Sequence, residues 1–167
     1  ANTLKTLNKR RTFIDALIEE YDGRIFNTAG DSVLAEFTSP VRALECAIQI
    51  QNNSQALNNI ADDNNIMSFR IGINIGDVMI SDDNLFGDAV NIAARLEAEA
   101  IVDGICISQS TFDMVNLKVK VSYEDAGELD LKNIERPIKA YNVLKSKGAT
   151  RRIVNSDEAP KIKFENV

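Results

Sequence analysis

The sequence has 167 residues and contains no histidine. Its absence excludes Ser-His-Asp hydrolases, histidine-dependent acid–base catalysts and zinc sites that need an imidazole ligand. Any chemistry in this chain must therefore depend on carboxylates, lysine, arginine, asparagine, hydroxyl groups and bound metal ions.

Cysteine is scarce, with only Cys46 and Cys106 in the chain. Both lie in apolar surroundings, Cys46 before Ala-Ile and Cys106 between two isoleucines. Such positions predict buried free thiols rather than a disulfide framework. A reducing cytoplasm is the compartment that fits best.

Long apolar runs and an excess of basic residues are also missing. No stretch approaches the length of a bilayer-spanning helix, so we do not expect this domain to enter a membrane. The 19 Lys and Arg residues stand against 25 Asp and Glu, a net charge of −6 that argues against broad nucleic-acid binding. A nucleotide can still bind such a protein where a few cations or metals lie at its phosphates.

Hydrophobic periodicity predicts an α+β domain with a mixed or antiparallel sheet and helices packed on one face. From residue 145 onward the chain is polar and without periodicity, which predicts a linker or tail over 145–167. The predicted elements, in order, are a helix over 3–21, a hairpin over 24–37 with its turn at 29–31, a helix from Pro40 into the Asn-rich stretch 52–65, a strand over 67–81, a loop over 82–86, a helix over 87–100, a strand over 105–107, a short helix over 108–115, and strands over 119–123 and 138–144.

Asn91 and Arg95 are four residues apart on the predicted helix over 87–100, so they project from one face. Their neighbours are apolar, and polar groups on a largely buried helix need partners. One interpretation is a polar stripe that meets water or Glu99. The other is a site in which Arg95 binds a phosphate bidentately while Asn91 bonds a sugar.

The run from Gly87 to Glu97, Gly-Asp-Ala-Val-Asn-Ile-Ala-Ala-Arg-Leu-Glu, resembles the signature of class III nucleotidyl cyclase catalytic domains of the bacterial type. The resemblance covers roughly residues 10 to 144 and implies a ferredoxin-like, palm-like sheet, with a catalytic domain over 1–144. It also implies that Asn91 orients the ribose and that Arg95 stabilises charge on the transferring phosphoryl group.

Two further segments resemble the same family. Alone, Ala29-Gly30-Asp31 is an ordinary turn, but the resemblance implies that Asp31 is a ligand in a two-metal site for Mg²⁺ or Mn²⁺. The segment 127–141 resembles the family's closing segment, in which Lys132 would contact the triphosphate. Without the resemblance, a lysine in a loop is simply solvated.

The pattern departs from the family at its start. Class III cyclases begin with a strand that contains a first metal-binding Asp, followed by a loop and a helix. This sequence starts within that helix, and its first acidic residue, Asp15, lies well inside it. A two-metal site that lacks one of its two carboxylates would bind metal poorly and turn over slowly. We expect the chain to be a truncated view of a complete enzyme, because the remaining motifs are intact.

The positions that select the base depart from the family too. Adenylate-selective members have Lys four residues before the second metal Asp and Asp seven before the helix Asn, and guanylate-selective members typically have Glu and Cys. This chain has Asn27 and Asn84, and an amide can both donate and accept. The loop over 82–87 resembles bacterial adenylate cyclases, so ATP is the first prediction and GTP the second.

The resemblance implies conversion of a nucleoside triphosphate to its 3′,5′-cyclic monophosphate and pyrophosphate. It also implies an antiparallel homodimer with two composite sites, the metal ligands coming from one protomer and the Asn–Arg helix from the other. The alternative is a catalytically silent cyclase-like module that dimerises or binds nucleotide. A diguanylate cyclase is disfavoured because residues 29–32 do not match its Gly-Gly-Asp/Glu-Glu-Phe turn.

Overall fold

The computed structural model describes residues 2–26, 32–62, 66–82, 84–144 and 161–166. Within these ranges no helix is both long and apolar enough to cross a bilayer. The elements are α1 (Asn2–Glu20), β1 (Gly23–Phe26), β2 (Val33–Phe37), α2 (Pro40–Ile60), β3 (Arg70–Ile75), β4 (Met79–Ser81), β5 (Asn84–Phe86), α3 (Asp88–Glu99), β6 (Ile105–Ser108), α4 (Gln109–Val115), β7 (Ser122–Leu129), β8 (Ile138–Leu144) and β9 (Lys161–Asn166).

Seven strands form one mixed sheet in the order β1-β2-β9-β3-β6-β8-β7. The β1–β2, β6–β8 and β7–β8 pairs are antiparallel, whereas β9 runs parallel to both β2 and β3, and β3 runs parallel to β6. β4 and β5 form a separate antiparallel hairpin. The predicted α+β class with a mixed sheet is confirmed.

Alternate residues of β3 show how helices cover the two faces of this sheet. Ile71 and Ile73 are fully buried in the main core, together with apolar residues of α1, α2 and α4. Gly72, which points the other way, lies against the backbone of α3. Helices α1, α2 and α4 therefore pack on one face of the sheet, as predicted. Helix α3 lies on the opposite face.

Three predicted elements differ in extent from those observed. The predicted strand over 67–81 is two strands, β3 and β4, separated by residues 76–78, and the predicted loop over 82–86 contains β5. Leu85 is 5% exposed and packs with Phe26 and Leu34, which explains why this polar segment forms a strand. β7 starts at Ser122 rather than 119, because the backbone N–H of Val119 bonds the carbonyl of Val115 at 2.8 Å and prolongs the turn after α4.

The predicted tail over 145–167 ends in a strand of the main sheet. Residues 161–166 form β9 between β2 and β3, with Ile162 opposite both Val33 and Ile71. In the sequence, Ile162 and Phe164 alternate with charged residues, a two-residue period that the overall polarity of the segment obscures. That part of the tail is thus not a linker, and the domain boundary at 144 stays a prediction.

Cys46 and Cys106 are both free and buried, as predicted. Loss of hydration on burial raises the pKa of each thiol from its ordinary value of 9.0 to about 12. The neutral thiol is therefore the form that the folded protein holds.

We expect neither thiol to react with iodoacetamide at about pH 8 until the protein unfolds, because the thiolate is the reactive species. The folded pKa of about 12 lies above the reference value of 9.0. The thiols' contribution to the free energy of unfolding is therefore complete below pH 9.0 and is lost as the pH rises toward about 12. Mass spectrometry after timed labelling, with and without denaturing urea, measures how fast each thiol reacts in the folded and the unfolded protein. Rapid labelling of either cysteine in the native protein would contradict the burial.

Candidate active site

The residue that precedes helix α3, Gly87, has a backbone conformation that only glycine adopts readily. Gly87 has φ 133°, and a Cβ there would lie 3.1 Å from the carbonyl oxygen of Asp77. Asp88 follows in the first turn, where a negative charge interacts favourably with the helix dipole. Both residues favour a helix start here, and α3 accordingly begins two residues after the end of β5.

The two sides of α3 differ in chemistry. The inward side buries Ala89, Ile92, Ala93 and Leu96, whose spacing follows the helical period. Asn91 is exposed and Arg95 is partly exposed on the outward side. Neither side chain has a hydrogen bond or ion pair to another residue that the structure describes, so both are available to a ligand.

Lys132 joins these two residues at one cleft of about 350 Å³. It lies in the turn between β7 and β8, directly after Leu131, which is 5% exposed and packs against Ile92 and Leu96 of α3. The turn continues through Asn133 at φ 65°, a conformation that asparagine tolerates well. Burial of Leu131 thus places Lys132 beside the outward side of α3.

The cleft concentrates positive charge in an acidic chain. Arg95 and Lys132 both line it, alongside the amide of Asn91. Glu97 also borders the cleft, but it is only 1% exposed. A planar guanidinium, an ammonium and an amide are the groups that bind phosphate and sugar oxygens.

Asn84 lies apart from this cleft, at the start of β5 and opposite Ser81 in the hairpin. The adjacent Leu85 packs in a small apolar cluster with Phe26, Leu34, Val78 and Val90. Phe26 precedes Asn27 in the chain, and Val90 precedes Asn91. One cluster therefore contains residues adjacent in the sequence to two predicted substrate-binding residues, Asn27 and Asn84, and to the predicted catalytic residue Asn91.

The predicted metal ligand Asp31 and the predicted base contact Asn27 lie outside the described residues. In the ranges that the structure does describe, no three or more Cys, Asp and Glu side chains come together as a metal site. Metal binding by Asp31 stays a prediction.

A second cleft, of about 430 Å³, lies at the carboxyl ends of β3 and β6. Its charged side chains are of mixed sign, namely Asp77, Asp88, Arg136 and Lys139. Lys139 is also 3.4 Å from the carboxylate of Asp125. The smaller cleft, with two cations and no exposed carboxylate, is the better match to a phosphate ligand.

Fold and cleft together describe an α+β domain suited to binding a phosphorylated, sugar-containing ligand. The profile of the adenylate and guanylate cyclase catalytic domain matches residues 1–145. The chain belongs to this family, which confirms the resemblance found in the signature from Gly87 to Glu97.

Individual relatives agree with this assignment. A solved structure, an adenylate/guanylate cyclase/hydrolase from Silicibacter pomeroyi, is 39% identical with a TM-score of 0.75, and the match covers 81% of this chain and 80% of that one. The adenylyl cyclase CyaB from P. aeruginosa, at 22% identity and a TM-score of 0.69, shares the fold over 87% of this chain and 83% of its own.

A curated relative, the Rhizobium meliloti protein named "Putative adenylate cyclase 3", is 40% identical over 125 residues, or 75% of this chain. The chain spans about a fifth of that relative's length, 21%.

Proposed function

We propose that this chain is the catalytic domain of a nucleotidyl cyclase that converts a nucleoside triphosphate to its 3′,5′-cyclic monophosphate. The 3′-oxygen would bond to the α-phosphorus as the bond to the pyrophosphate oxygen breaks, and the 3′-hydroxyl proton would leave to solvent. The supporting observation is one cleft lined by Asn91, Arg95 and Lys132, none paired with another described residue.

Each side chain in the cleft has a role suited to its chemistry. Arg95 would bind the oxygens of the transferring phosphoryl group, where a planar guanidinium can stabilise the charge that develops. Lys132 would bind the triphosphate as a compact point charge. Asn91 would hold the ribose so that the 3′-oxygen stays in line with the α-phosphorus.

A divalent cation fits the donor chemistry of Asp31, which lies between β1 and β2 in the sequence. Asp31 would supply a carboxylate oxygen, the ligand type that Mg²⁺ and Mn²⁺ prefer. When bound, such ions provide positive charge at the triphosphate and lower the pKa of the ribose hydroxyl.

ATP is the proposed substrate. The family includes both adenylate and guanylate cyclases, so the base must be selected by individual side chains rather than by the fold. Asn27 and Asn84 would meet the base edge with amides that both donate and accept. The ratio of kcat/KM for ATP to that for GTP tests the choice, and a ratio below one would favour GTP.

The active form is proposed to be a homodimer with two composite sites. The β4–β5 hairpin, next to α3, exposes three large apolar side chains: Met79 is 67% exposed, Ile80 49% and Phe86 48%. Met79 and Phe86 are opposite each other in the hairpin, and an exposed apolar patch is typical of protein interfaces. We propose that two copies of the chain bind through this hairpin, with Asp31 of one copy and Asn91 and Arg95 of the other forming each site.

Mixed dimers provide a direct test of this shared site. Asp31→Ala and Arg95→Ala homodimers are each expected to be nearly inactive, because every composite site loses one essential group. Mixing the two variants should restore part of the activity, since one site of each mixed dimer is then intact. Activity is measured against mixing ratio, with dimer exchange confirmed by mass spectrometry.

Mixing two preparations of Asp31→Ala that differ only in an affinity tag is the matched control, and it should restore nothing. If confirmed Asp31→Ala/Arg95→Ala mixed dimers also stay inactive, the shared-site arrangement is wrong.

A further inference from the structure

Helix α3 lies directly on β3, with very little side-chain volume between the two backbones. A Cβ at Gly72 would overlap the backbone of Ala93 and lie 2.9 Å from the Cα of Glu97. A Cβ at Gly76 would lie 2.6 Å from the Cβ of Ala89. Gly72 in β3 and Gly76, directly after it, both face α3, and Asn74 lies between them on the same side.

Asn74 is 4% exposed, and its side chain is bonded to the helix itself. Its Nδ2 donates a hydrogen bond to the backbone carbonyl of Ala89 at 3.2 Å. Ala89 lies in the first turn of α3, which has no side-chain hydrogen bond at its N-cap. The bond from Asn74 therefore restrains the backbone of this turn.

A second donor from β3 holds the opposite end of α3. Nη1 of Arg70 donates to the carbonyl of Ala98 at 3.3 Å. Arg70, at the start of the strand, bonds the end of the helix, while Asn74, near the end of the strand, bonds its beginning. The two bonds show that α3 runs antiparallel to β3, and together they limit its sliding and rotation.

Asn91 and Arg95 are two and six residues beyond Ala89 on the same helix. Their functional groups can lie correctly only if the whole helix has the correct height and rotation over the sheet. A displacement of about 1 Å at a reacting group is enough to lower a rate by as much as a hundredfold. The reaction therefore requires that α3 is held in a fixed position on β3.

We infer that Asn74 is a positioning residue for the reaction, acting through the backbone of α3 on Asn91 and Arg95; this inference rests on the proposed cyclase function. Asn74 also borders the larger cleft at the carboxyl end of β3. Water can enter from that cleft when the side chain is shortened, so the loss of Asn74 should shift the helix without unfolding the domain.

The test compares Asn74→Ala with Gln51→Leu in the full-length protein. Gln51 is a matched control because it too is a buried amide that donates to backbone carbonyls, those of Phe69 at 3.1 Å and Gly104 at 2.9 Å. It belongs to α2, on the opposite face of the sheet from α3. Urea unfolding measures the free energy of unfolding that each variant loses, and the kcat values are compared at comparable losses.

Asn74→Ala is expected to lower kcat on the order of tenfold to a hundredfold while KM changes little. Gln51→Leu should leave kcat near the wild-type value. Asn74→Ser, which keeps a short donor, should recover part of the lost kcat, and it replaces Asn74→Ala if that variant does not fold. Hydrogen exchange should show faster exchange in α3 of Asn74→Ala and unchanged exchange in α2.

Equal kcat values for Asn74→Ala and Gln51→Leu would overturn the positioning role and leave the cyclase proposal intact. If the wild-type protein itself forms no cyclic nucleotide, the cyclase proposal fails, and hydrogen exchange alone then decides on Asn74. In that case, unchanged protection of α3 in Asn74→Ala would overturn the inference, and selective loss of protection would support it.

Discussion

Arg95→Ala is expected to lower kcat about 100- to 1,000-fold, the loss typical when one group that stabilises transition-state charge is removed. Arg95 has no bond to another described residue, and it projects from the outward side of α3 into the cleft. Its removal should therefore leave the free energy of unfolding almost unchanged. Steady-state kinetics together with urea unfolding separate the effect on catalysis from any effect on stability.

Two variants make this test specific. Arg11→Ala removes an arginine of similar exposure from α1, where it pairs with Asp15 at 2.7 Å, and it should leave kcat unchanged. Arg95→Lys retains the positive charge but loses the planar fork of donors, so its kcat should lie between those of Arg95→Ala and wild type. Full activity of Arg95→Ala would show that the catalytic cleft is assigned wrongly.

Gly72→Ala is expected to destabilise the fold by about 3 kcal/mol, at the upper end for overpacking, because the new Cβ would overlap backbone atoms of Ala93 and Glu97. A helix backbone cannot move aside as the end of a flexible side chain can, so the whole of α3 must shift outward. The free energy of unfolding from urea titration measures the loss. Any folded fraction should also have a lower kcat, since Asn91 and Arg95 move with the helix.

Gly127→Ala is the matched control for that substitution. No atom lies within 4 Å of a Cβ built at Gly127, so the only cost there is its φ of 77°. That backbone conformation costs an alanine about 1 kcal/mol. Equal losses for Gly72→Ala and Gly127→Ala would contradict the close seating of α3 on β3.

The outward pair on α3 could be predicted from the sequence because it depends on local geometry. Residues four apart on a helix share a face, and the signature around Asn91 and Arg95 has a fixed spacing. The meeting of Lys132 with Arg95 was implied only by the family resemblance. It depends on the burial of Leu131 against α3, a long-range contact that no local pattern shows.

The close packing of α3 on β3 was not predicted, although the sequence contains a signal for it. Gly72, Asn74 and Gly76 alternate with three isoleucines in and beside β3, so one face of this strand has two glycines and an amide while the other is uniformly apolar. Glycine on one face of a strand often marks the close approach of another backbone. The alternation predicted a strand here, although over a longer range than β3, and it did not predict the helix that packs on the glycine face.

The strands β5 and β9 were missed for a different reason. Both lie in segments rich in charged or amide side chains. The alternation in β9 is short, and β5 has only two apolar residues, which are adjacent. In β5 a single buried residue, Leu85, secures the strand through contacts with Phe26 and Leu34 from distant parts of the chain. Tertiary packing overrides local preference in such short elements.

Formation of a cyclic nucleotide by the purified full-length protein is the most direct test. Mn²⁺ with ATP, and separately with GTP, should yield the 3′,5′-cyclic monophosphate and pyrophosphate in equal amounts, with ATP the better substrate. Specific activity should rise with protein concentration over the range in which dimers form. If a folded and demonstrably dimeric protein forms no cyclic product from either nucleotide, the chain is instead a catalytically silent member of the cyclase family.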